Sequence, residues 1–343
     1  MIKYASMQEG KLLCQDISGL DSSRIQKSGK TMVIDRMVSD ISVLELFSRY
    51  VTYVKIGWGI PFLLPEDRVR ERINNIRNTG LGVSNGGTFL ENFIIRGKLM
   101  QGLNMIHGLG YTYLELSEGI MDISRRDKKI AMEFAESSGM KLVMEVGKKN
   151  RNDQLSLSET IEKITEDMEF DPFVIIVEGR ESGKDVEIYD HEGNIKWDWV
   201  EEILENVPLS RVMFEAPIES QQTELIIRLG PEVNLGNVSF ASIPAMASQK
   251  FGVRGDNFGV ESHNNHFDGS PATRFVYHVI KNSSYSDQAK IMKITGMSRR
   301  TVQNSLFELM KSGLITEHPD SMDMRRKVYR STGHGMPDVK EKE

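Results

Sequence analysis

Short apolar runs rich in valine, isoleucine and leucine recur along the first two thirds of the chain. They are TMVID (31–35), YVKIGW (53–58), LGVSNGG (81–87), YTYLELSEG (111–119), KLVMEVG (141–147), FVIIVEGR (173–180), RVMFEAP (211–217) and VNLGNV (233–238). Continuous apolar runs of this length fit strands buried on both faces of a parallel sheet. Amphipathic stretches lie between them, such as EDRVRERINNIRN (66–78) and SRRDKKIAMEFAESSG (124–139). In the second, Ser124 and Asp127 have the spacing of a capping box, and Gly139 is placed to end the helix. The spacing of the runs approaches the roughly 30 residues of a βαβ unit. Eight such units predict a closed (β/α)8 barrel of the TIM type, an α/β fold, over residues 1–262, with residues 1–25 as a loose leader.

Polar groups collect at one end of these runs. Asp35, Lys55, Glu115, Glu145, Glu178, Arg180, Glu215 and Asn234 stand in the last residues of a run or just past it. In a (β/α)8 barrel that end carries the active site. Carboxylates mixed with lysines and an arginine suit a divalent cation together with an anionic substrate. Mg²⁺ takes oxygen ligands and shares them with substrate oxygens. Glu145, Glu178 and Glu215 end consecutive runs and are the expected Mg²⁺ ligands. A phosphate is expected near Gly86, Gly87 and Gly236, where backbone N–H groups can approach it, with Arg180 or Arg254 supplying a fork of donors.

Charge divides the 343-residue chain. The overall net charge is −6, yet residues 1–270 carry −11 and residues 271–332 carry +6. The pattern changes at the same place. A polar connector (263–270), containing His263 and His266 in a setting unsuited to a metal, leads to a helical stretch opened by Pro271. SDQAKIMKITG and MSRRTVQNSLFELMKSGLI then read as helix, turn at Gly296 and a second helix capped by Ser298, with Val302, Leu306, Leu309 and Met310 on its buried face. LITEHP and VYRST form a hairpin. Residues 271–332 therefore resemble a winged helix-turn-helix domain, a small α+β unit, followed by a flexible tail (333–343). The resemblance implies double-stranded DNA as partner, with Arg299, Arg300, Thr301, Gln303 and Asn304 at base edges and Arg325, Arg326 and Lys327 at phosphates. It also implies a homo-oligomer, since such domains commonly work as dimers.

Cys14 is the single cysteine, which allows no intrachain disulfide. No apolar run approaches the ~20 residues that span a bilayer, and the start lacks the pattern of a secretory signal, so a cytoplasmic location is expected.

Taken in order, VKIGWG, NGGTFLE, LELSEG, EVGKK, VEGRESGK, FEAPIESQQ, GPEVNLGN and FGVRGDNFG resemble the phosphosulfolactate synthase family over about residues 31–259. The resemblance implies a lyase-type, Mg²⁺-dependent addition of sulfite to phosphoenolpyruvate, giving phosphosulfolactate on a route to coenzyme M in archaea. It implies Lys148 as general acid, with Lys149 as close rival, and Lys55 as a binder of phosphate or sulfite. Gln221 belongs to the same preserved set. Two positions depart from the family's pattern, Arg36 where a lysine is usual and Ile60 where a threonine is usual. Together with the fused basic domain they motivate an alternative, a transcription regulator whose altered barrel senses a phosphorylated or sulfonated metabolite. A third reading is a stress-associated interaction protein without catalysis.

Overall fold

The computed structural model describes residues 28–150, 153–255, 270–281, 283, 286–312, 314–320 and 326–331. The leader 1–25 with Cys14, the connector residues 263–269, Arg325 and the tail 333–343 lie outside the described residues.

Eight parallel strands close into a barrel in sequence order: β1 (Thr31–Asp35), β2 (Tyr53–Ile56), β3 (Gly82–Ser84), β4 (Tyr113–Ser117), β5 (Lys141–Val146), β6 (Val174–Val177), β7 (Val212–Glu215) and β8 (Leu235–Val238). Every expected run supplies one strand. The strands are buried nearly throughout, because helices such as Glu66–Arg77, Arg125–Ser137 and Leu157–Met168 cover the outside while side chains fill the inside. The helix Arg125–Ser137 begins where the sequence expects it, with the Ser124 hydroxyl accepting a bond from the Asp127 N–H.

Side chains alternate across a strand with a period of two, and this builds the lumen in storeys. The lower storey is apolar: Met32, Tyr53, Tyr113, Val143, Val174, Ile176 and Met213 form one cluster, with the Tyr53 and Tyr113 rings stacked at 4.4 Å. Two residues further along five of the same strands stand Lys55, Glu115, Glu145, Glu178 and Glu215, all buried. The charged storey is thus the direct continuation of the apolar one. Packing in the lower storey is tight enough to exclude a side chain at Gly82, where an added Cβ would come within 2.1 Å of the Tyr113 ring. Gly82→Ala is expected to destabilise the barrel by about 1–3 kcal/mol, the usual range for overpacking, read from the midpoint of urea unfolding.

The seam between β1 and β8 is irregular. Thr31 pairs with Leu235 but Val33 pairs with Val238, so β8 holds one extra residue. Such a bulge re-aims a side chain. Asn237, with a left-handed φ of 51°, is the residue so turned.

The described residues between 270 and 331 form the helices Pro271–Lys281, Gln288–Thr295 and Arg299–Lys311 and an antiparallel pair, β9 (Ile315–Pro319) and β10 (Lys327–Ser331). Their core is their own: Val276, Ile280, Ile291, Val302, Leu306, Leu309, Ile315 and Tyr329 cluster together, and Met310 packs against them. Asp287 and Ser298 cap the second and third helices, and Gly296 ends the second with φ +66°. Among the described residues no helix is long and apolar enough to cross a membrane.

Candidate active site

The charged storey opens upward into a cavity of about 420 Å³, lined among others by Lys55, Trp58, Gly86, Gly87, Thr88, Lys149, Glu178, Arg180 and Asn237. At its floor the Lys55 ammonium stands 2.9 Å from Glu115, 2.7 Å from Glu145 and 3.0 Å from Glu215. Burial opposes the charge on Lys55, but these carboxylates outweigh it and hold its pKa well above the ordinary value. Burial pushes the Glu115 carboxyl up.

The two adjacent lysines part company after β5. Lys149 lines the cavity, its ammonium 2.8 Å from the Thr88 hydroxyl, 3.4 Å from Glu145 and 3.8 Å from Glu178. Burial works against its charge, and Glu145 and then Glu178 more than restore it, so its pKa is raised. Lys148 turns away from the cavity to Asp122, 2.7 Å distant, and joins an outer network with Lys163, Glu118, Lys128 and Asp167. Lys148 and Lys163 together hold the Asp122 carboxyl down at about 2. Backbone bonds fix this divergence. The Lys149 N–H donates to Gly119 O at 2.9 Å, and the Lys148 carbonyl accepts from Gln154 at 2.8 Å and from Arg180 at 3.0 Å.

Glu187 supports the same turn from below. It is buried, accepts a bond from the Thr160 hydroxyl at 3.1 Å, and is pushed up to about 7 by burial, against the pull of Thr160 and the Lys148 backbone. An unfolded glutamate ionises near 4.5, so the folded chain binds the extra proton between that value and about 7. Stability from this group is therefore present below the lower value and lost as pH rises through the upper one. Glu187→Gln is expected to flatten that loss, by on the order of 3 kcal/mol, in unfolding curves compared on the two sides of this window.

Other expected residues have different places. Asn234 sits at the entrance to β8, not its exit, and is consumed by the Lys30 N–H and the carbonyls of Leu209 and Val212. Asp35 ends β1 as expected but is gripped by the Arg72 fork at 2.7 and 2.9 Å. Gln221 reaches Gly183 O and Gly193 O and holds the loop after β6. Arg254 pairs with Glu219 at 2.7 Å. Gly86 and Gly87 line the cavity, yet their N–H groups are taken by the Ser84 hydroxyl and by Glu115. Gly236 is packed against Met32 and Glu215. Trp58, Thr88, Glu181, Ser182 and Asn237 line the cavity without having been singled out from the sequence.

The carboxylates expected to hold Mg²⁺ are each engaged in part, Glu178 accepting the Arg180 N–H at 2.7 Å. Lys55 stands between Glu145 and Glu215, and Glu215 also accepts the Gly179 N–H at 3.0 Å. Among the described residues no group of three or more acidic, histidine or cysteine side chains could hold a metal ion alone. Glu145 and Glu178, however, both face the Lys149 ammonium, at 3.4 and 3.8 Å. Burial, then Glu215 and Glu145, raise the Glu178 pKa well above the carboxylate range, whereas Lys149 and Lys55 overcome burial to lower that of Glu145. Glu145 Oε1 and Asn237 Oδ1 are buried without a hydrogen bond. One or two carboxylates, completed by substrate and water, suffice for Mg²⁺; the pair fits it.

Comparison with known proteins identifies the family of the barrel. Residues 21–256 match the family described as (2R)-phospho-3-sulfolactate synthase (ComA). The chain belongs to the phosphosulfolactate synthase family. It is 36% identical over 236 residues to the phosphosulfolactate synthase of Methanocaldococcus jannaschii, covering 67% of this chain and 94% of that one. It is 33% identical over 243 residues to that of Methanothermobacter thermautotrophicus, covering 69% and 94%. For the Bacillus subtilis protein of the same name the figures are 31% over 215 residues, 62% and 83%. Residues 257–343 lie beyond the family match.

Proposed function

We propose that the barrel adds sulfite to phosphoenolpyruvate in a Mg²⁺-dependent reaction that gives phosphosulfolactate, the synthase step its relatives are named for. The observation that carries the reading is the Lys149 ammonium, held in the cavity between Glu145 and Glu178. Sulfite sulfur bonds to the methylene carbon, the double-bond electrons move onto the adjacent carbon and its carboxylate, and that carbon then takes a proton. Lys149 is the proton donor: its raised pKa keeps it charged at neutral pH, and Thr88 orients it. Mg²⁺, held by Glu145 and Glu178, would stabilise charge on the substrate carboxylate as a Lewis acid. Lys55 neutralises the carboxylates beneath. The test is phosphorus NMR with phosphoenolpyruvate, sulfite and Mg²⁺, against a metal-free control. A new phosphate-ester resonance requiring both sulfite and metal is expected; persistence of phosphoenolpyruvate with folded protein refutes the reading.

A second role is proposed for residues 271–332, as a winged helix that binds double-stranded DNA. In the helix opened by Ser298, Arg299, Arg300, Gln303 and Asn304 are exposed, as are Arg326 and Lys327 at the hairpin. Thr301 is less available, since its hydroxyl shares a bond with Ser298 at 2.9 Å. Lys327 is paired with Glu317 at 2.7 Å. Fluorescence anisotropy with upstream DNA is expected to show affinity that falls steeply with salt. Salt-independent or absent binding removes this role. Metabolite-dependent affinity in a chain without turnover would favour the sensor reading.

A further inference from the structure

Most donors around the cavity are already engaged. The glycine N–H groups serve Ser84 and Glu115, Lys55 is surrounded by three carboxylates, and Lys149 lies between two. Arg180 donates to the Lys148 carbonyl at 3.0 Å and makes a long contact with Asp185 O at 3.4 Å. The cavity therefore has cations, but those near its floor are matched by acids. A substrate bearing a doubly charged oxyanion needs a fork that is not.

Arg36 has that property. Its guanidinium carbon lies over the Trp58 ring, 4.2 Å from the centroid, and among the described residues it makes no hydrogen bond or ion pair. Trp58 lines the cavity. Trp58 and Gly59 both have left-handed backbones, with φ 61° and 63°, a conformation uncommon for a bulky residue. This turn brings the indole to the rim and leaves it 45% exposed. A guanidinium stacked on an aromatic face keeps its N–H edge free for in-plane donation. Arg36 is itself exposed, and its charge lowers the pKa of Glu181, another lining residue, against burial, so it lies within electrostatic reach of the cavity rim.

We propose that Arg36, braced on Trp58, is the oxyanion-binding fork of this site and receives a tetrahedral oxyanion, the phosphate monoester or the sulfite. The choice of these two ligands rests on the synthase reading, but the binding itself does not require turnover. Planar, bidentate donation is what distinguishes this fork from a lysine, whose ammonium binds as a point charge.

Isothermal titration calorimetry of the full-length chain with phosphoenolpyruvate, inorganic phosphate and sulfite separately, alongside Trp58 emission assigned by a Trp58→Phe control, tests this. Arg36→Met, at an exposed position, is expected to weaken one class of oxyanion by about tenfold or more, with Arg36→Lys in between. Weakening of phosphoenolpyruvate and phosphate alone assigns the fork to the phosphate monoester, and weakening of sulfite alone assigns it to sulfite. Unchanged affinities in Arg36→Met overturn the proposal. So does equal weakening of all three that added sodium chloride reproduces in the parent, because that marks a diffuse field. A parent chain that binds none of them overturns it too. Arg36-dependent binding without formation of phosphosulfolactate would instead refute the synthase reading and leave the fork standing.

Discussion

Lys149→Ala is expected to lower turnover of phosphoenolpyruvate and sulfite by ~10²-fold or more, the cost of losing a placed general acid, with a smaller change in KM. Lys148→Ala is expected to leave turnover close to that of the parent. The two residues are neighbours of one type, so the contrast isolates placement from chemistry. Lys149 faces the cavity beside Glu145 and Glu178, whereas Lys148 spends its charge on the largely exposed Asp122. A pair with one partner largely in solvent contributes about 1 kcal/mol, so Lys148→Ala leaves a folded protein to assay. Steady-state rates for both variants decide the matter, and a Lys148→Ala protein as impaired as Lys149→Ala would overturn the assignment.

The second large effect falls on stability. Lys55→Met removes an ammonium that contacts Glu115, Glu145 and Glu215 together, and among the described residues leaves Lys149 as the cation beside these buried carboxylates. Breaking a buried pair in this way costs about 3–5 kcal/mol. A fall in Tm of roughly 10 °C is expected at neutral pH, since about 1 kcal/mol corresponds to about 2–4 °C in a chain of 150–250 residues. Adding Glu145→Gln and Glu215→Gln to Lys55→Met is expected to recover part of the loss, because the stranded charges go with their partner. Calorimetric scans of the three proteins provide the check; an unchanged Tm in Lys55→Met would mean that the cluster is already neutral.

The barrel was legible because its signal is repeated and local. Eight apolar runs yielded eight strands, and the rule that charge gathers at their exits found Lys55, Glu115, Glu145, Glu178 and Glu215. What could not be read depends on contacts between distant segments. Nothing in EVGKK says which lysine faces inward; that is settled by Gly119, Gln154 and Arg180 gripping the turn. Asp35 has the right position, but Arg72 from the next helix claims it. Asn234 and Asn237 differ by three residues in one short run, yet Asn234 precedes β8 at its entrance whereas Asn237, beside the added residue of that strand, lines the cavity. The basic segment was visible through its charge and its caps, Ser298 and Gly296, because those signals are local as well.

The storeyed lumen also bears on how such a site can change over generations. Each carboxylate above the tyrosine layer touches or neighbours a lysine that other carboxylates share. A mutation that neutralises one acid alters the charge felt by all the rest, with no solvent beneath to absorb the difference. Viable drift in this layer should therefore proceed by linked exchanges, an acid lost with a base, while the rim can change without disturbing that balance. New specificities in this lineage would then arise at the mouth of the barrel and leave its charged interior intact.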